Sequence, residues 1–257
     1  MFFSELIYTF EYQRRGRSKP MKKFAAKSPV IFEVILIVAA FVLALAFGLA
    51  GQAVGLGNEL PMAVGRILAG IVLLIVFREC LRDGKQFSGF LIMLPALGFA
   101  LWNVANHFLT KGEFNPLTTE ILILGLAPAV FEEVVFRGIF IHNLRKSGRS
   151  DMAALLIPAL IFGLVHLTNA VNGDVAQALV QTGYSVVAGL VFGAIYIRTG
   201  DLLSVMIAHA ALDITYRVFG SSGNTPIPVL IAFLVLLAAE AVYAFVLVSG
   251  KKSLEKR

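Results

Sequence analysis

The sequence predicts an all-α protein, a polytopic transmembrane bundle of about eight helices with a polar site inside the membrane. Three observations carry this expectation. The first is composition. Of 257 residues, 58% are hydrophobic and 15% charged, against about 25% charged in soluble domains. With glycine counted and tyrosine left out, roughly 65% of the chain is apolar, where soluble domains hold about 45–50%. Mean hydropathy is +0.83. A soluble domain needs more polar surface than this, which excludes an ordinary cytosolic enzyme, a disordered chain and a disulfide scaffold. The second observation is eight apolar runs near spanning length, without the alternation of a membrane barrel strand. The third is the placing of the basic residues between those runs. The net charge of +6 and pI near 9.5 therefore report membrane topology and no nucleic-acid partner.

Residues 1–29 form a basic segment expected in the cytoplasm. Phe2, Phe3, Leu6, Ile7 and Phe10 recur at helical spacing before the basic run, the pattern of a short helix lying on the inner membrane surface. The charges follow this apolar stretch instead of preceding it, so it does not read as a signal peptide; Met21 is an alternative start. The transmembrane domain is expected over 30–250, with helices at Val30–Ala50, Met62–Cys80, Ser88–Leu109, Leu117–Asn143, Ala153–Thr168, Val175–Ile197, Leu202–Tyr216 and Pro226–Ser249. Residues 251–257 are a basic tail. Gly189 and Gly193 form one GxxxG on the sixth helix, which reads as helix packing. Cys80 is the single cysteine and sets no redox compartment.

Charge distribution orients the bundle. Eighteen Lys and Arg lie in the N-terminal segment, the tail and the second, fourth and sixth connections. The alternate connections hold only Lys111 and Arg217. This asymmetry predicts both termini on the cytoplasmic side.

Ionisable groups inside the bilayer are costly and call for a reason. The fourth helix carries Glu132, Glu133 and Arg137. Glu133 and Arg137 are one turn apart and can pair, while Glu132 points about 100° away. The fifth helix carries His166, and the seventh carries His209 and Asp213 on one face. At 1.5 Å per residue, Glu132, His166, His209 and Asp213 lie roughly 10–20 Å from the cytoplasmic ends of their helices. Three helices thus bring Glu, His, His and Asp to similar depth, which predicts one polar site reached by water from one side. Glu33, Arg66 and Glu240 are expected to snorkel or pair near span ends, and His107 and His142 to sit at the interfaces.

The chemistry open to this set is hydrolysis by an activated water. In one version His166, His209 and a carboxylate such as Glu132 hold Zn²⁺ or another divalent ion. In the other, Glu132 is the base without metal, and the histidines and Asp213 stabilise or orient. No HExxH is present, and spacing does not choose between the versions.

The ordered motifs Glu132-Glu133-x-x-x-Arg137, Phe162-x-x-x-His166 and His209-x-x-x-Asp213 resemble those of the CAAX protease and bacteriocin-processing family, the Abi or CPBP intramembrane proteases. Val-Val-Phe-Arg after Glu133, and Gly138 behind it, also resemble the first motif. The resemblance covers about residues 117–217. It implies an intramembrane endopeptidase acting on a membrane-associated protein or peptide. In it Glu132 activates water, His166, His209 and Asp213 complete the centre, and Glu133, Arg137 and Phe162 support it. Family members are traditionally called metalloproteases, and a metal-free glutamate mechanism is also argued for them. The last motif ends in Asn in the prenyl-protein processing members associated with eukaryotes. Asp213 therefore leans to the prokaryotic branch and a plasma-membrane location. The alternative functions are a non-catalytic membrane partner that keeps the fold, and a proton-coupled transporter, which repeated halves and broken helices would mark.

Overall fold

In a computed structural model of the chain, residues 28–55, 57–78, 84, 87–171, 173–220 and 225–250 are described below. The expected amphipathic segment before residue 28, Cys80, Arg82, Lys85 and the basic tail lie outside them. The described residues form eight helical rods: α1 Pro29–Ala53, α2 Glu59–Val76, α3 Phe90–Thr110, α4 over 119–146, α5 Asp151–Val171, α6 Val175–Thr199, α7 Leu202–Val218 and α8 Ile227–Ser249. Each expected span has its helix. Six of them are long and apolar enough to cross a membrane. The others are α7, which is short at 17 residues, and α4, whose coil changes partway.

Local chemistry sets the helix ends. Thr118, Ser150, Asp174 and Asp201 each accept a hydrogen bond from a first-turn backbone N–H with their side chains, which satisfies donors the helix itself leaves free. Lys111 and Gly200 end α3 and α6 in the left-handed region. Pro95 sits in a 3₁₀ turn, Leu94–Leu97, within α3.

Two further departures from regular α-helix were not expected. After Glu133, α4 widens into a π-helical stretch, Val134–Ile141, all of it buried. At His166, α5 tightens into a 3₁₀ turn running to Val171. Both changes of coil fall at residues of the polar site, where π turns commonly occur. Hydrophobic periodicity reads only which face is apolar, and a coil of slightly different pitch leaves that pattern almost unchanged.

Helix α4 packs against α2 and α7, α1 against α2, α5 against α6, and α6 against α8. Small residues permit the closest approaches. A side chain at Gly125 would meet Ile214 of α7 at 2.5 Å. The expected packing role of Gly189 and Gly193 is seen directly: the first abuts Ala159 Cα and the second Leu155 and Ile141. The core lies around α4 and α6, where Phe131, Phe136, Phe140, Phe192 and Tyr196 are fully buried. Conversely, α1 and α8 expose Ile31, Val38, Val42, Ile231, Leu234 and Val235, apolar faces suited to lipid tails.

Polar residues outside the site lie against neighbouring helices, and Glu240, expected near a span end, is buried within α8. Asn143 Nδ2 donates to Glu33 Oε1 at 2.6 Å, joining α4 to α1. Glu240 reaches the bare backbone of Gly98, and the Tyr243 hydroxyl donates to the Ile92 carbonyl. His107 lies among Phe108, Phe114 and Phe219, where an isolated β-bridge joins Phe114 to Phe219.

Candidate active site

Glu133 is completely buried and serves two partners through one oxygen. Arg137 Nη1 donates to its Oε1 at 2.8 Å, and His209 Nδ1 lies 2.6 Å from the same atom. An ionised carboxylate only accepts, so His209 carries its hydrogen on Nδ1 and turns Nε2 the other way. Nε2 stands 3.6 Å from Asp213 Oδ2 and 3.9 Å from Glu132 Oε2, beyond direct hydrogen bonding and close enough for electrostatic attraction.

Aromatic rings pack around this pair. The Arg137 guanidinium lies 4.5 Å from the Phe162 ring centre and 5.4 Å from that of Phe192. Phe192 in turn stacks on the His209 ring at 5.4 Å. Phe162 meets Phe136 and His166 edge to face. Cation–π contact and one full ion pair hold a charge that would otherwise be very costly at such depth.

Glu132, one residue step and about 100° round the helix from Glu133, lies on the Nε2 side of His209. It makes no hydrogen bond among the described residues and lines a cavity of about 540 Å³ together with His166, His209 and Asp213. His166 Nδ1 lies 2.8 Å from the Phe162 carbonyl. A carbonyl only accepts, so Nδ1 donates and Nε2 is left with its lone pair. The structure therefore brings all four residues to the cavity wall together with Phe162, and sets Glu133 and Arg137 behind it.

Residues that sequence reasoning passed over complete the cavity. Phe192 backs His209. On α3, Asn103 Nδ2 donates to the Leu212 carbonyl and to Thr215 Oγ1 at 3.0 and 3.1 Å, bracing α7 beside Asp213. Asn106 lines the cavity with its side-chain oxygen buried and without a donor among the described residues. Two asparagines within an apolar span were themselves a signal, since intramembrane polar groups call for partners. Arg66, expected near a span end, also lines the cavity.

A divalent metal tests poorly against this arrangement. Among the described residues no group of three or more His, Cys, Asp or Glu is disposed to hold one. His166, His209 and Glu132 share a cavity without forming such a ligand cluster.

Away from the cavity, Asp201 clamps the α6–α7 turn to the α2–α3 connection. Its Oδ2 accepts from the Gly89 N–H at 2.8 Å and the Ser204 hydroxyl at 2.7 Å, and Oδ1 from the Ser204 N–H at 3.0 Å. Burial pushes its carboxyl up, but these hydrogen bonds outweigh burial and hold it below the usual aspartate range.

Comparison with known families returns a match over residues 113–215 to the Rce1-like family, described as type II CAAX prenyl endopeptidase Rce1-like. The matched segment covers α4 to α7 and so contains all three motifs. No curated protein and no solved structure matches the chain.

Proposed function

From the match of segment 113–215 to the Rce1-like, type II CAAX prenyl endopeptidase family, we propose an intramembrane endopeptidase. It hydrolyses a peptide bond of a membrane-associated protein or peptide with a water activated at Glu132. The observation that carries this reading is the division of labour between adjacent carboxylates. Glu133 is consumed by Arg137 and His209, whereas Glu132 faces the cavity without a hydrogen bond among the described residues.

A water beside Glu132 gives its proton to the carboxylate as its oxygen attacks the peptide carbonyl carbon. The resulting oxyanion is stabilised by His209, whose Nε2 donates to it when the ring carries both protons and whose Nδ1 is held by Glu133; His166, fixed through Nδ1 by the Phe162 carbonyl, offers its Nε2 lone pair as an acceptor that orients the water. Asp213 Oδ2 stands 3.6 Å from His209 Nε2, placed to balance positive charge on that ring. The C–N bond then breaks, and Glu132 returns the proton to the departing amine. The products are a carboxylate and an amine, and Glu132 is restored. Arg137 neutralises Glu133, so that the site does not accumulate three buried negative charges. No step passes through a metal.

The Lys and Arg asymmetry supports both termini in the cytoplasm, and Asp213 in the last motif supports a prokaryotic plasma membrane. The test is cleavage by wild-type and Glu132→Gln protein reconstituted in vesicles. Loss of cleavage in a fully folded Glu132→Gln variant is the expected result, and wild-type cleavage would overturn the mechanism.

A further inference from the structure

The cavity is closed at one end and open at the other. Fully buried Phe136 and Phe192 form its floor, with Ile139, Phe140 and Tyr196 packed beyond them. From there it runs to Asn169, Gln177, Arg217 and Thr225, which are exposed or partly exposed and border the α5–α6 and α7–α8 connections. Helix α7 runs from the turn at Asp201 past His209 and Asp213 to Arg217, so each four-residue step moves about 6 Å toward the mouth. On α5 the path from His166 to Asn169 leads to the same end.

These are the connections without a basic cluster. Arg145, Lys146, Arg149 and Arg198 all lie at the closed end, whereas the open end carries only Lys111 and Arg217 beyond the apolar runs. The positive-inside rule therefore sets the open end outside the cytoplasm. The wall near the mouth is lined by neutral amides, Asn103, Asn106, Gln177 and Gln181. Amides both donate and accept, which matches the main chain of an extended peptide. Asn106 holds a buried side-chain oxygen with no donor among the described residues, and a main-chain N–H of a bound peptide is the group it lacks.

We infer that the site is entered from the extracytoplasmic face and takes an extended segment of an exported polypeptide or of the outer flank of a membrane protein, with Asn106 accepting from its main chain. The choice of substrate rests on the peptidase reading, while the direction of access does not.

The experiment uses the full chain in cells, with Cys80→Ser removing the native thiol. Gln177→Cys and, independently, Thr225→Cys should react with a membrane-impermeant maleimide in intact cells. Arg149→Cys should react only after permeabilisation. The reverse pattern overturns the access inference whatever the activity. Newly formed termini are then mapped in the membrane proteome of cells carrying wild-type or Glu132→Gln protein. Cuts on extracytoplasmic flanks are expected, and cuts confined to cytoplasmic flanks overturn the substrate assignment while leaving the peptidase intact. A proteome without any Glu132-dependent cut overturns the peptidase reading instead, and the labelling still judges access. On a peptide spanning a mapped cut, Asn106→Leu should raise KM about five- to tenfold for one lost hydrogen bond and leave kcat near wild type. A loss confined to kcat overturns the binding role of Asn106.

Discussion

Replacing Glu133 by glutamine changes one oxygen for a nitrogen and removes one charge. In the native protein, Glu133 Oε1 receives both Arg137 Nη1 and His209 Nδ1, at 2.8 and 2.6 Å. A glutamine carbonyl can still accept from both, but the Arg137 cation loses its counter-charge in a site where it is 1% exposed. The amide nitrogen adds donors where Glu133 Oε2 has no partner. Breaking a buried ion pair in this way costs about 3–5 kcal/mol in soluble proteins, which is roughly two to nearly four decades in the folded-to-unfolded ratio. The neighbouring substitution is the control. Glu132→Gln breaks no hydrogen bond among the described residues and faces the cavity, so its stability should stay within about 0.5 kcal/mol of wild type. Its cleavage rate should fall about 10²–10⁴-fold. The assay is equilibrium unfolding in mixed detergent micelles, paired with peptide cleavage by the same preparations. A Glu133→Gln protein as stable as wild type would refute the pairing argument. A Glu132→Gln protein that unfolds as readily as Glu133→Gln would show that the two carboxylates do not divide their roles.

Arg137→Lys keeps the charge but gives up the planar stacking on Phe162 and Phe192, so it should lose about 1–2 kcal/mol in the same unfolding assay and leave a fraction of the activity. His166→Ala and His209→Ala should each reduce cleavage about as severely as the two together, because residues acting as a unit do not contribute additively; a double variant with the summed loss would contradict a common centre. Asp201 has its carboxyl held below the ordinary value, so its contribution is fully present above about pH 3.9 and disappears as pH falls through the lowered value. Asp201→Asn should therefore cost about 1.5–3 kcal/mol at neutral pH and flatten the acid limb of an unfolding-against-pH curve. With no three-ligand cluster among the described residues, purified active protein should keep its activity in excess chelator; stoichiometric zinc that is lost with His209→Ala would restore the metal version.

The sequence by itself determined the eight helices, because a bilayer forces backbone groups to bond internally and leaves apolar length as a clear mark. It also picked out four polar residues that line one cavity: Glu132, His166, His209 and Asp213 stand out against apolar surroundings, and rise per residue puts them at similar depth. The pairing of Glu133 with Arg137 followed from one turn of helix. Only the tertiary structure decided that His209 joins that pair, since the contact spans 76 positions and no local spacing encodes it. It also decided that Phe162 and Phe192 enclose the guanidinium, because an aromatic in an apolar helix looks the same from the sequence whether it faces lipid or a cation. The asparagines of α3 were visible as polar residues in an apolar span, yet their place on the cavity wall depends on how α3 crosses α7. The open end of the cavity was likewise undecided: depth along each helix measures distance from the membrane surface, whereas closure depends on which side chains meet between helices.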